Sequence, residues 1–82
     1  MLRVVVKISA QKNLKKIDRR YQARLVNAMR ELGSDPFLGK PLVGDLSGFY
    51  SLRVWPYRII YQLLKKEGVL FIVAIEHRQG AY

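Results

Sequence analysis

The sequence predicts an α+β domain with the element order β-α-α-β-β-β, in which two helices pack on one face of a small, mostly antiparallel sheet. Three observations support this fold class. The chain begins with a β-branched run from Leu2 to Ile8, which favours a strand. The residues Tyr21, Leu25, Met29 and Leu32 are then spaced by four, four and three, as in the buried stripe of a helix. The C-terminal part holds three apolar segments separated by turn signals.

The stretch between the first strand and the long connection is predicted to form two helices. The first runs from Ala10 to Ile17, with Ser9 as its N-cap. Asp18 is expected to cap the second helix, and Gly33 to end it as the C-cap. A single helix with a bend near Asp18 fits the same pattern.

The remainder is predicted to be a connection followed by strands. Proline and glycine residues indicate an irregular segment that extends to about Ser47. Three strands follow, at Gly48–Val54, Tyr57–Leu63 and Val69–Ile75. Pro56 lies in the turn between the first two, and Lys65 to Gly68 form a hairpin turn. Because the last strand is apolar at odd and even positions alike, we expect it to be central and buried on both faces.

Composition limits the classes of function. The 82 residues fit one domain, 1–82, and the absence of cysteine excludes disulfides and thiolate metal sites. One histidine, His77, cannot build a zinc site, so no metal or cofactor is expected. No segment has the length of a membrane span, and the lack of cysteine fits a reducing, cytoplasmic location. Fifteen Lys and Arg against six Asp and Glu give a net charge of +9, which indicates a polyanionic partner: nucleic acid, an acidic protein or a membrane surface.

Strand alternation separates the candidate site residues by face. Arg58 shares a face with Ile60 and Gln62. Because its neighbours along the strand are apolar, we interpret Arg58 as a phosphate-binding residue and not as an ordinary exposed charge. The alternative for Arg58 is an ion pair with Glu76. Arg53 is a second candidate, although it fits an edge residue that extends to solvent equally well.

Three further candidates lie at the C-terminus. Arg78 ends the last strand, where side chains reach solvent and ligands alike. His77 is a candidate proton carrier, and a surface histidine fits as well. Tyr82 gains a role only from the resemblance described next.

Several motifs together resemble the RelE/ParE superfamily, the toxin halves of bacterial and archaeal toxin–antitoxin pairs. The resemblance covers nearly the whole chain. It is carried by the element order and by three stretches, which are Tyr50–Val54, Tyr57–Tyr61 and Glu76–Tyr82. RelE-like members are metal-independent endoribonucleases that cut messenger RNA in the ribosomal A site, where a 2′-OH attacks the adjacent phosphate and a 5′-OH leaves.

The resemblance implies roles for individual residues. Arg58 would stabilise the charge on the phosphate, Arg78 would do the same or serve as acid, and Tyr82 would act as base or stacking group. Arg53 would hold the reacting phosphate. Ser51 stands where RelE has a second lysine, so the chain departs there from the family's basic set. Ser51 and Lys40 are the further candidates for binding RNA. His77 is the more natural acid or base near neutral pH.

The resemblance also implies partners. These are a cognate antitoxin with an acidic or amphipathic segment, messenger RNA and the ribosome, with no membrane. A small homo-oligomer or a toxin–antitoxin hetero-oligomer is compatible with this. Two alternatives remain open: a ParE-like inhibitor of DNA gyrase, and a diverged protein that only binds its antitoxin.

Overall fold

The computed structural model describes residues 1–77 and confirms the α+β class. Its elements are β1 (Arg3–Val6), α1 (Ile8–Lys15), α2 (Arg19–Ser34), β2 (Lys40–Pro41), β3 (Phe49–Val54), β4 (Tyr57–Leu64) and β5 (Val69–His77). The sequence did not predict β2, which has only two residues and carries no periodic pattern. Within the described part of the chain, the helices are too short or too polar to cross a membrane.

The sheet has five strands in the order β1-β5-β4-β3-β2. β1 pairs with β5 in parallel, and the other pairs are antiparallel. The last strand, β5, therefore has a neighbour on each side, but the middle position belongs to β4. The expectation that the last strand is buried on both faces is wrong, because Phe71 and Val73 are only half-buried. The helices cover one face, and the other face has no second layer within residues 1–77.

Two of the predicted helix caps, Ser9 and Gly33, are wrong. Helix α1 begins at Ile8 after Lys7, so Ser9 lies inside the first turn and is not the N-cap. Helix α2 continues to Ser34, so Gly33 is not the C-cap. Gly33 is buried, and a Cβ there would lie 3.2 Å from a methyl group of Val4. The missing side chain allows α2 to lie close to β1, and a Cβ at this position would be tightly packed.

The second helix begins as predicted. The Asp18 side chain accepts a hydrogen bond from the backbone N–H of Arg20 at 2.9 Å, which satisfies a donor of the first turn. This cap also separates α2 from α1, so the alternative of one bent helix is wrong.

The core lies between the helices and one face of the sheet. Its fully buried large side chains are Leu25 and Leu32 from α2, and Ile59, Tyr61, Leu70 and Ile72 from β4 and β5. A register shift between Ile60 and Tyr61 lets Ile72 and Ile75, three residues apart, both contribute to this core. The strand residues between them belong to the open face, which carries the polar residues considered next.

Candidate functional site

Two arginines and a glutamate form one cross-strand row on the open face of the sheet. Arg53 on β3 is the register partner of Arg58 on β4, and Arg58 is the partner of Glu76 on β5. Directly opposite residues have Cβ atoms about 4.5–5.5 Å apart, so the two arginine side chains begin next to each other on the sheet. Like charges in this position destabilise a strand pair. Glu76, opposite Arg58 on its other side, offsets part of this repulsion, and an anionic ligand beside Arg53 and Arg58 would offset it further.

A second row runs parallel to the first. Lys40 on β2 is the register partner of Ser51, and Ser51 is the partner of Ile60. Since Ser51 and Arg53 are two residues apart on β3, they share a face. The structure thus brings together the four sequence candidates Lys40, Ser51, Arg53 and Arg58.

Two adjoining depressions flank the arginine pair. The first has a volume of about 260 Å³ and is lined by Arg53, Trp55, Pro56, Tyr57 and Arg58. The second, of about 470 Å³, is lined by Leu38, Lys40, Pro41, Leu42, Ser51, Leu52, Arg53 and Arg58. Both arginines line both depressions, so a ligand that extends from one to the other passes the pair.

A buried tyrosine holds the loop that precedes Lys40. The Tyr61 hydroxyl donates a hydrogen bond to the Pro36 carbonyl at 2.7 Å and accepts one from the Gly39 N–H at 3.0 Å. Burial raises the pKa of Tyr61 above its ordinary value, and the Gly39 hydrogen bond opposes that shift in part. Tyr61 therefore stays neutral and fixes where β2 and Lys40 begin.

We call the two hydrogen bonds of the Tyr61 hydroxyl the clamp, and the small size of Gly39 makes it possible. A Cβ at this position would lie 2.6 Å from the Tyr61 hydroxyl and 2.9 Å from the Ser51 carbonyl oxygen. Neither contact is tolerated without a shift of the loop, so glycine permits the close approach.

His77 lies on the other face of the sheet. It is the register partner of Tyr57, and the two rings meet edge to face with centroids 5.2 Å apart. Tyr57 in turn meets Tyr21 of α2 at 5.7 Å. The structure therefore separates His77 from Arg58, and its suggested role in proton transfer stays a prediction. Arg78 and Tyr82 lie outside the described residues.

Sequence reasoning missed two contributors to the site. Trp55 lines the first depression, and its position in the two-residue turn beside Arg53 was the available signal. Tyr61 acts through the loop, and no local pattern predicts the long-range partners of its hydroxyl. Among residues 1–77, no three His, Cys, Asp or Glu side chains come together as metal ligands.

The chain is similar in sequence to known proteins. A family described as the ParE toxin of the type II toxin-antitoxin system, parDE, matches residues 4–82. Toxin RelG of Mycobacterium tuberculosis is 32% identical over 76 residues, which cover 90% of this chain and 87% of that protein.

Solved structures of toxins have the same fold as this chain. The toxin–antitoxin complex RelBE2 of M. tuberculosis contains a chain with 29% identity and a TM-score of 0.88, covering 94% of this chain and 98% of that chain. The isolated E. coli RelE toxin has 16% identity and a TM-score of 0.81, covering 94% and 84%. The likeness to E. coli RelE concerns the fold alone.

Proposed function

Since the chain belongs to the RelE/ParE superfamily and is a toxin of the type II toxin–antitoxin class, we propose that it cleaves messenger RNA on the ribosome without a metal ion. The observation that carries this proposal is the pairing of Arg53 and Arg58 on the open face, with Lys40 and Ser51 beside them. Guanidinium groups suit phosphate because their planar N–H donors match two phosphate oxygens at once.

The reaction requires positioning and charge stabilisation more than covalent help from the protein. The 2′-oxygen forms a bond to phosphorus, and the bond from phosphorus to the 5′-oxygen breaks. The 2′-OH proton passes to a base, and a proton reaches the leaving 5′-oxygen. Arg53 and Arg58 would hold the phosphate and stabilise the extra negative charge of the transition state. Arg78, Tyr82 and His77 remain our candidates for the proton transfers.

A cleavage assay on programmed ribosomes tests the roles of the two arginines. We expect Arg53→Ala and Arg58→Ala each to lower the single-turnover rate by about 10²–10³, the usual effect of losing one donor to the developing charge. Arg30→Ala is the matched control, because it removes one exposed positive charge from α2, outside both depressions. Equal rates for all three variants and the wild type would refute the site assignment.

The chemical ends of the products test the reaction type. Attack by the 2′-OH leaves a 2′,3′-cyclic phosphate and a 5′-OH, so kinase should label the downstream fragment without prior phosphatase treatment. A 2′-O-methyl group at the cleavage position should abolish the reaction. A 5′-phosphate on the downstream fragment would exclude this mechanism.

We also propose that a cognate antitoxin binds this toxin. Support comes from RelBE2, which was solved as a toxin–antitoxin complex, and from the net charge of +9, which suits an acidic or amphipathic segment. The affinity should fall in part as salt rises, since salt screens the exposed charges but not apolar contacts. Co-purification with the protein encoded next to this toxin, followed by titration at several salt concentrations, measures this.

A second candidate function is inhibition of DNA gyrase. It is favoured by the match of residues 4–82 to the family described as ParE toxin. A supercoiling assay separates the two functions, because a gyrase inhibitor blocks supercoiling by purified gyrase in the absence of ribosomes. Inhibition there, with no cleavage on ribosomes, would favour this candidate over the ribonuclease.

A further inference from the structure

We propose that Trp55 is a stacking platform for one base of a single-stranded RNA whose phosphate lies at Arg53 and Arg58. This inference deepens the proposed function and rests on it. It assigns a substrate-positioning role to a residue that lies in neither cross-strand row. The argument depends on where the indole is held, what surrounds it and which ligand suits those surroundings.

The turn that carries Trp55 is short and fixed by pairing on both sides. Val54 ends β3 and is the register partner of Tyr57, which begins β4, so only Trp55 and Pro56 lie between the strands. Such a connection holds the residue near the site without a flexible loop. A platform of this kind loses little conformational freedom when a ligand binds.

Trp55 is 57% exposed, although tryptophan is the largest apolar residue type in the sequence. Exposed large apolar side chains are common singly and need no explanation by themselves. Trp55 is distinguished by its surroundings, since it lines the same 260 Å³ depression as Arg53 and Arg58. An aromatic ring beside two cations is the combination that binds single-stranded nucleic acid, with the cations at the backbone and the ring under a base.

The depression has room for one small group, such as a single base. Its volume of about 260 Å³ lies just below the roughly 300–1,000 Å³ of common small-molecule pockets. The two arginines lead from it into the second depression, so the chain of nucleotides can continue past Lys40 and Ser51. A base inside a duplex is already stacked and does not present its face, so we expect binding of single strands only.

The lining residues also predict that the stacking site has little preference among the bases. The five residues of the first depression include no Asn, Gln, Asp or Glu, the side chains that commonly read adenine and cytosine edges. Stacking on an aromatic face tolerates any base. Trp55 should therefore add affinity while contributing little base preference.

The fluorescence of the protein gives a direct test, because Trp55 is the single tryptophan in the chain. The probe is a short 2′-O-methyl oligouridylate, which lacks the attacking hydroxyl and stays intact. Stacking should quench the indole emission as this strand binds to the full-length protein. The same strand annealed to its complement, and inorganic phosphate alone, should leave the emission unchanged.

Substitutions test the contribution to affinity, measured by the anisotropy of a labelled strand. Trp55→Ala should weaken binding by about 5- to 150-fold, the range for the loss of one stacked base, and Trp55→Phe should restore part of it. Phe37→Ala is the matched control, since Phe37 is 60% exposed and lines neither depression. We expect its affinity to equal that of the wild type, and circular dichroism should show that all three variants are folded.

The outcomes separate this proposal from the proposed function. Cleavage on ribosomes by the wild type and Trp55→Ala at equal rates, with no quenching, would overturn the platform and leave the ribonuclease intact. Quenching in the wild type, together with weaker binding of the single strand by Trp55→Ala, would support the platform even if no cleavage occurs. If Trp55→Ala instead weakens binding of the antitoxin and leaves the affinity for the single strand unchanged, Trp55 is a protein contact and the proposal is overturned. Failure of the wild type to bind any single strand overturns it as well.

Discussion

Replacement of Tyr61 by phenylalanine should destabilise the protein through the loop that precedes Lys40. The change removes two hydrogen bonds, one to the Pro36 carbonyl at 2.7 Å and one from the Gly39 N–H at 3.0 Å. Each hydrogen bond contributes about 0.5–1.5 kcal/mol net, so the expected loss is about 1–3 kcal/mol. The ring remains in place, and therefore the apolar contacts of this fully buried residue are kept.

Urea denaturation followed by circular dichroism measures this loss in the free energy of unfolding. For a domain of this size, each kcal/mol corresponds to a shift of roughly 4–8 °C in Tm. Tyr50→Phe is the matched control. Its ring stacks on Tyr61 with centroids 5.3 Å apart, and its hydroxyl has no hydrogen-bond partner within the described chain. A Tyr61→Phe variant as stable as Tyr50→Phe would refute the clamp.

The same substitution predicts a dependence on pH. Because burial raises the pKa of Tyr61 in the folded state, the unfolded chain loses this proton first, near pH 10. Below that pH both states are protonated, and the full stability difference between wild type and Tyr61→Phe is present. Above it, ionisation favours the unfolded wild type, so the difference should shrink as pH rises towards the folded pKa. A difference that stays constant from about pH 8 to about pH 11 would contradict the assigned burial effect.

Three further predictions concern the loop, the arginine pair and a helix cap. Gly39→Ala should destabilise the protein by about 1–3 kcal/mol in urea titration, since its Cβ would lie 2.6 Å from the Tyr61 hydroxyl. Arg53→Gln should raise the free energy of unfolding by a few tenths of a kcal/mol at low salt while lowering cleavage, because it removes a like charge opposite Arg58; a loss of stability would contradict this. The pKa of Asp18 is lowered by the hydrogen bond from the α2 backbone, so its contribution is present above pH 3.8 and is lost as pH falls through the lowered folded pKa. The Tm difference between wild type and Asp18→Ala should accordingly disappear in acid.

The sequence predicted the elements that carry strong periodic patterns. The stripe of Leu25, Met29 and Leu32 is buried as expected, and Asp18 caps α2. Local chemistry suffices for these features, because helical spacing and a capping side chain act within a few residues. Gly33 shows the limit of such reasoning. A glycine near a helix end is often a C-cap, but here Gly33 lies inside α2, where it allows the close approach of β1.

Part of the site was predictable for the same reason. Alternation along β3 and β4 correctly assigned Ser51 with Arg53, and Arg58 with Ile60, to their faces. It could not give the register between strands, which is set by turn length and brings Arg53 opposite Arg58. It also could not predict that β2 places Lys40 beside Ser51, because two residues carry no period.

The cations of the site depend on three different parts of the fold, and this determines how the site can respond to a ligand. Arg58 belongs to the middle strand and Arg53 to its neighbour, so their backbone positions follow from the register alone. Lys40 depends on the loop that Tyr61 holds from inside the core. Under the proposed function, a phosphate would therefore meet backbones that are already in place, and its binding would order only the long side chains, at about 0.5–1.5 kcal/mol each. Because Tyr61 belongs to the core and also holds the loop, a substitution of Tyr61 should lower stability and displace Lys40. A substitution of a core residue without such a hydrogen bond should lower stability alone.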